Sequence, residues 1–230
     1  MDRHRGMRSR WRCQTPGPGR TTPAGSVRTR GEPANPLACA GVDLDVPPPR
    51  DLSAPPRTLM AELARHVDQA AAAQVCTDLL GGADPHDYPG ALAYLAGRGT
   101  EKFLAGTWGP EYWSRVWGAR GLLYVWSSDA TPAVLAGLSD PEWRVAEMCL
   151  KVSAKREVAA AGDGAVQLAD HELARVRAAA MRLLGKVGDT EHVATVRVGL
   201  DDPDADVRRH ADGALLAMTE RLDLARAPDQ

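Results

Sequence analysis

From residue 58 onward, apolar side chains recur at steps of three and four residues, which is the spacing of one face of an α-helix. A first helix is predicted over about 58–80, where Gly81-Gly82 ends the pattern. A second, shorter helix is predicted over about 88–97. No segment alternates apolar and polar positions over the length of a strand, so the pattern predicts an all-α chain without a sheet.

From residue 100 the pattern repeats every 31 residues. The dipeptide Val-Arg at 176–177 recurs at 207–208, and segments 100–106 and 131–137 share Thr, Leu, Ala and Gly at the same offset. Such self-similarity is typical of a helical repeat array, here with a short helix A and a longer helix B in each copy. The predicted copies span about 100–130, 131–161, 162–192 and 193–226.

One face of each B helix carries small and aliphatic side chains at positions i, i+4 and i+7. In the last three copies this face consists of Val145, Cys149, Val152, Val176, Ala180, Leu183, Val207, Ala211 and Ala214. Because one hairpin cannot bury this face alone, we expect successive copies to stack on one another. The Asp-Pro pairs at 140–141 and 202–203 are expected to cap B helices, with Asp as the N-cap and Pro as the first helical residue.

The pattern Asp-Pro-x-x-x-Val-Arg-x-x-Ala-x-x-x-Leu, clearest from Asp202 to Leu215, resembles HEAT repeats, specifically the short type first associated with phycobilin-lyase subunits. The resemblance covers about 130–220. The first copy departs from it, and Ala146 replaces the Arg in the second. The resemblance implies a right-handed α-solenoid of HEAT-like helical hairpins, about four 31-residue repeats, with the B helices on the concave side. It does not imply lyase activity, because many scaffolds use the same repeat.

Three parts of the chain follow from these patterns. Residues 1–56 are rich in Pro, Gly and Arg without apolar periodicity, which predicts a disordered tail, or alternatively sequence upstream of the natural start. Residues 57–99 form atypical N-terminal helices, and residues 100–226 form the HEAT-like array. Only the first 50 residues are basic overall. The remainder holds 26 acidic and 19 basic residues, which argues against a general nucleic-acid binder.

The four cysteines show no C-x-x-C pair and no metal-like spacing, so neither a disulfide framework nor a metal site is predicted. Cys149 is instead expected to be a small core residue. No apolar run approaches the roughly 18 residues of a membrane span. We therefore expect a cytoplasmic protein without membrane contact.

A second column runs along the B helices, about 90° from the apolar face, and it is basic over three copies with aromatic residues at one end. Its candidate binding residues are Trp113, Trp117, Arg120, Tyr124, Arg144, Lys151, Arg175 and Arg182. The Trp residues either fill an irregular joint with the N-terminal helices or form an aromatic and cationic ligand surface. The basic residues are either solvated, paired with carboxylates of adjacent copies, as we expect for Arg177 and Arg208, or available for binding.

The sequence contains no phosphate loop after a strand and no Gly-x-Ser-x-Gly motif, so we predict no catalytic residue and no cofactor. The favoured function is a non-catalytic scaffold that binds a protein partner on its concave B-helix surface. The alternative is a nucleic-acid-binding protein related to alkylpurine DNA glycosylases, with Glu147 as the nearest carboxylate. A bilin-lyase-like chaperone is the second alternative. The sequence leaves the oligomeric state open.

Overall fold

The computed structural model describes residues 46–224, and this part of the chain is helical without a strand. Two helices precede the array, and four pairs of a short and a longer helix follow. The helices are α1 Pro56–Leu80, α2 Pro89–Ala96, α3 Thr100–Leu104, α4 Trp113–Gly121, α5 Thr131–Gly137, α6 Trp143–Arg156, α7 Gly162–Leu168, α8 Ala174–Val187, α9 Val193–Gly199 and α10 Ala205–Arg221.

The period of 31 residues is confirmed. The A helices (α3, α5, α7 and α9) begin at residues 100, 131, 162 and 193, and the B helices (α4, α6, α8 and α10) begin at residues 113, 143, 174 and 205. A single 3₁₀ turn precedes each A helix. All nine side chains of the predicted apolar face are buried. The array is therefore an α-solenoid in which each hairpin completes its core against the next one.

Successive B helices pack more extensively on one another than the A helices do. Small residues permit this close approach. A methyl group added at Gly185 of α8 would lie 2.8 Å from Cα of Ala214 in α10. The same holds where α1 crosses α4, since a methyl group on Gly118 would lie 2.6 Å from the carbonyl oxygen of Cys76. Backbone spacing at these crossings is thus set by the absence of a side chain.

The predicted caps are wrong by two residues. The N-cap of α6 is Glu142, whose carboxylate accepts from the amide of Arg144, and Asp140 instead accepts from the amide of Glu142 in the preceding turn (2.8 Å). In the last repeat, Asp204 caps α10 while Asp202 accepts from the amide of Asp204 (2.8 Å). Each Asp-Pro pair therefore forms the turn that leads into the B helix, and a second acidic residue caps the helix itself.

The first helix also differs from the prediction, because it contains a break. Asp68 has φ 67° and ψ 169°, which is outside the helical region, and its carboxylate accepts from the amide of Ala71 (2.8 Å) to restart the helix. Of the predicted tail 1–56, residues 1–45 lie outside the described part of the chain. Segment 46–55 contains no helix, yet it contacts the N-terminal helices, since the hydroxyl of Tyr94 donates to the carbonyl of Pro47 (2.8 Å).

Candidate functional site

Two of the predicted binding residues, Trp117 and Arg120, make contacts inside the fold. Trp117 is only 4% exposed and meets the ring of Phe103 edge-on, with 4.8 Å between the ring centroids. Arg120 is half-buried and its guanidinium donates to the backbone carbonyl of Leu95. Burial lowers the pKa of Arg120. Both side chains therefore join α4 to the elements around it.

The aromatic end of the surface lies at the joint between the first and second repeats. Trp113 and Tyr112 are half-buried, and their ring centroids are 5.7 Å apart. The guanidinium of Arg144 lies 5.8 Å from each of these two ring centroids and 4.3 Å from that of Trp143. Trp108 is exposed beside them. These residues form a partly accessible surface of aromatic rings around one cation.

The middle of the basic column is neutralised by carboxylates. Glu147 is buried, and its oxygens accept from Nζ of Lys151 (2.8 Å) and from Nε and Nη2 of Arg175 (3.1 and 3.0 Å). Arg175 also lies over the ring of Trp143, at 4.8 Å. Arg144 pairs with Glu142 at 3.0 Å. Three of the predicted cations are thus already engaged with carboxylates of the protein.

At the last two repeats the basic column remains open. A groove of about 410 Å³ between α8 and α10 is lined by Arg182, Lys186, His210 and Arg221, with Glu157 as its single carboxylate. Within residues 46–224, none of the Arg or Lys side chains of this groove forms an ion pair. The groove therefore carries an excess of positive charge.

A histidine completes the wall of this groove. Nη2 of Arg182 lies 2.8 Å from Nε2 of His210, so the imidazole accepts this hydrogen bond and must be neutral at that nitrogen. Burial and the charge of Arg182 lower the pKa of His210, which favours the neutral form. Gly213 faces open space in the same groove, because no atom lies within 4 Å of where its Cβ would be.

Sequence reasoning missed the cations at the C-terminal ends of the B helices. Arg156 in the last turn of α6 donates twice to the carbonyl of Leu122 (Nε 3.2 Å, Nη2 2.8 Å), and Arg221 in the last turn of α10 donates to the carbonyl of Gly188. Each thus bonds a carbonyl that follows the end of the preceding B helix. Basic residues in a last helical turn are the sequence signal that would have found them.

Tyr124, from the predicted set, lies beside Lys155, with 5.4 Å between the ring centroid and Nζ.

Carboxylates of neighbouring repeats hold other arginines. Arg115 of α4 pairs with Asp140 of the second repeat, and Arg177 of α8 pairs with Asp202 of the fourth, both 25 residues apart. The prediction is confirmed for Arg177. It is wrong for Arg208, which donates instead to two carbonyls of the turn in its own repeat. The partner of Arg177 lies in the next repeat, and no described repeat follows Arg208.

Residues 162–227 match the family model for HEAT repeats, and these residues include the third and fourth helical hairpins. This segment therefore consists of HEAT repeats. The first and second hairpins precede the matched segment at the same spacing of 31 residues. No curated protein matches the chain.

The described part of the chain contains no group of three or more His, Cys, Asp or Glu side chains placed to hold a metal ion. None of its helices between residues 46 and 224 has both the length and the apolar character that crossing a bilayer requires. Cys76 and Cys149 are buried free thiols, and Cys13 and Cys39 lie outside the described residues. As predicted, Cys149 is a core residue.

Proposed function

We propose that this protein is a non-catalytic HEAT-repeat scaffold that binds a protein partner through the concave surface formed by its B helices. HEAT repeats typically serve as protein-interaction scaffolds, and each repeat adds to one extended surface. The close packing of the B helices on one another supports their position on the inner side of the array. An elongated face of this kind suits a segment of chain better than a small substrate.

The observation that carries the proposal is the uncompensated charge between α8 and α10. Arg182 and Lys186 project from one helix into the groove. The carboxylates Glu142 and Glu147 instead neutralise the other cations of the column, which are Arg144, Lys151 and Arg175. A partner segment with Asp or Glu side chains would supply the missing negative charge. The aromatic rings around Arg144 would offer the same segment an apolar anchor at the other end of the surface.

Affinity capture from a cell extract with charge-reversed bait tests the groove. The double variant Arg182→Glu/Lys186→Glu should lose a partner that the unchanged protein retains, because both attractive charges become repulsive. A matched control is Lys102→Glu/Arg197→Glu, which reverses two exposed cations on the A helices α3 and α9. The control should retain the partner. Equal recovery by the groove variant and the control would contradict the assignment of the groove.

The alternatives receive less support from the geometry. A DNA glycosylase would need an accessible carboxylate near the aromatic rings, but Glu147 is buried and both of its oxygens bind cations. No observation favours a bilin lyase. A gel-shift assay at low salt tests nucleic-acid binding, because phosphate contacts make such binding strongly salt-dependent. A shift that is lost in Arg182→Glu/Lys186→Glu would replace the protein partner by a nucleic acid.

A further inference from the structure

A second basic cavity is lined by a different set of residues from the groove between α8 and α10. It has a volume of about 380 Å³ and is enclosed by the first part of α1, the residues after α4 and the end of α6. Its polar lining comes from Arg57, Gln69, Tyr124, Lys155 and Arg156, and its apolar lining includes Leu123 and Val125. No carboxylate-bearing side chain lines it.

The three cations of this cavity form no ion pair. Among the ion pairs of residues 46–224, none involves Arg57, Lys155 or Arg156. Desolvation, followed by the charges of Arg156 and Arg57, lowers the pKa of Lys155. Positive charges that line one cavity repel one another, and a bound anion relieves this repulsion.

Two of the cations are held in place by the backbone. Nζ of Lys155 donates to the carbonyl of Leu123 (2.6 Å), and the guanidinium of Arg156 donates to the carbonyl of Leu122. Arg156 also lies over the ring of Trp126, at 5.4 Å. An ammonium has three donors and a guanidinium five, so both retain N–H groups beyond these contacts. Fixed cations with spare donors lose little conformational freedom when they bind a ligand.

The lining that α1 contributes to the cavity depends on the break in that helix. Asp68 is a non-glycine residue at positive φ, a conformation that costs of the order of 1–3 kcal/mol. The break divides α1 into a part that carries Arg57 and a part that packs on α4, and Gln69 directly after it lines the cavity. Nε2 of Gln69 approaches the carbonyl of Trp126 at 3.5 Å. The strained residue Asp68 thus directly precedes a residue that lines the cavity.

We propose that this cavity binds a phosphate-type oxyanion, coordinated by Arg57, Lys155 and Arg156. A tetrahedral oxyanion presents several acceptor oxygens, and Arg and Lys donors form short, charge-assisted hydrogen bonds with them. The same chemistry is offered by inorganic phosphate and by the phosphoryl group of a small phosphomonoester. The apolar side chains of Leu123 and Val125 in the lining would contact the body of the latter.

Isothermal titration calorimetry of the full chain tests this site, with inorganic phosphate and phenyl phosphate as probes at constant ionic strength. The expected result is saturable binding of phosphate that weakens by about tenfold or more in Arg57→Gln/Lys155→Gln, since each charged hydrogen bond contributes at least a factor of that order. The matched control is Arg65→Gln, an exposed arginine on the same helix outside the cavity, which should bind as the unchanged protein does. Tighter binding of phenyl phosphate identifies a phosphomonoester as the ligand, and equal binding identifies the free anion.

A second readout separates site occupancy from general charge screening. Because Trp126 contacts Arg156, phosphate should change the tryptophan fluorescence, and Trp126→Phe should remove that change while calorimetric binding remains. Absence of saturable binding, or equal weakening by Arg65→Gln and by the double variant, would overturn the proposal. Arg182→Glu/Lys186→Glu should leave phosphate binding unchanged, so this test and the test of the partner groove can fail independently.

Discussion

Arg177 and Asp202, which belong to successive repeats, form a two-pronged ion pair. Nε of Arg177 donates to Oδ2 of Asp202 at 2.7 Å and Nη2 donates to Oδ1 at 2.8 Å. The side chains are only 14% and 11% exposed. The same guanidinium donates through Nη1 to the carbonyls of His171 and Glu172. One arginine thereby joins the turn of its own repeat to the turn of the next.

Removal of the Arg177–Asp202 ion pair should destabilise the array. Asp202→Ala deletes the acceptor of Arg177 and the oxygen that accepts from the amide of Asp204, so we expect the free energy of unfolding to fall by about 1–3 kcal/mol. Urea unfolding followed by circular dichroism measures the change. Asp201→Ala, at the exposed neighbouring position, should stay within about 0.5 kcal/mol of the unchanged protein. Equal effects of the two variants would show that the ion pair contributes nothing to the free energy of unfolding.

The same pair predicts a pH dependence. The hydrogen bond from Arg177 holds the pKa of Asp202 below its ordinary value, and burial opposes this shift. An unfolded Asp has a pKa of about 3.9, so this carboxylate stabilises the fold above that pH, and the contribution is lost as the pH falls through the lower folded pKa.

Unfolding free energies measured between about pH 5 and pH 2 should therefore fall more steeply for the unchanged protein than for Asp202→Asn. The pKa values of Asp51 and Asp84 are lowered as well, but both proteins share these groups, so the difference between the curves isolates Asp202. Parallel curves would contradict the shift.

A pair of glycines tests the close approach of α8 and α10. Gly185→Ala places a methyl group 2.8 Å from Cα of Ala214, and backbone cannot yield as a side chain does, so the variant should lose about 1–3 kcal/mol. Gly213→Ala, also within a B helix, meets no atom within 4 Å and should gain about 0.4–1 kcal/mol. Thermal unfolding should shift in opposite directions. Shifts of the same sign would contradict the packing.

The buried thiols should be unreactive in the folded protein. Burial raises the pKa of Cys76 to about 12 and raises that of Cys149 still further, so neither forms the thiolate that reacts with iodoacetamide near neutral pH. Peptide mapping by mass spectrometry should find both sites unmodified under native conditions and modified in denaturant. Native labelling at Cys149 would instead show that the joint between α5 and α6 opens readily.

The apolar positions of the array are predictable because they repeat. Val145, Val176 and Val207 occupy one column at a spacing of 31 residues, and all three are fully buried. The break at Asp68 is different, since an aspartate at positive φ leaves no trace in a hydrophobic pattern. The helix caps were misassigned because an Asp two residues earlier satisfies the same local rule, as at Asp140.

Contacts between side chains that are distant in the chain or in neighbouring helices explain the rest of what sequence reasoning missed. Trp113 and Trp117 occupy one predicted column, yet Trp117 is buried. The ring of Phe103 packs edge-on against Trp117, and the exposed ring of Trp108 stacks on it. Likewise, Arg175 and Arg182 look equivalent in the sequence. Only the fold reveals that Glu147 engages the first and leaves the second to the groove.

The hydrogen bonds that join neighbouring repeats connect residues only 25 to 34 positions apart in the chain. Each repeat therefore finds its partner locally during folding, without closing a long loop first. Folding of the array can start at any hairpin and then proceed to the neighbouring hairpins, which pack on the one already formed. Such a chain should fold quickly for its size. Among the described hairpins, the one formed by α9 and α10 packs on a single neighbouring hairpin, so it should be the first to open.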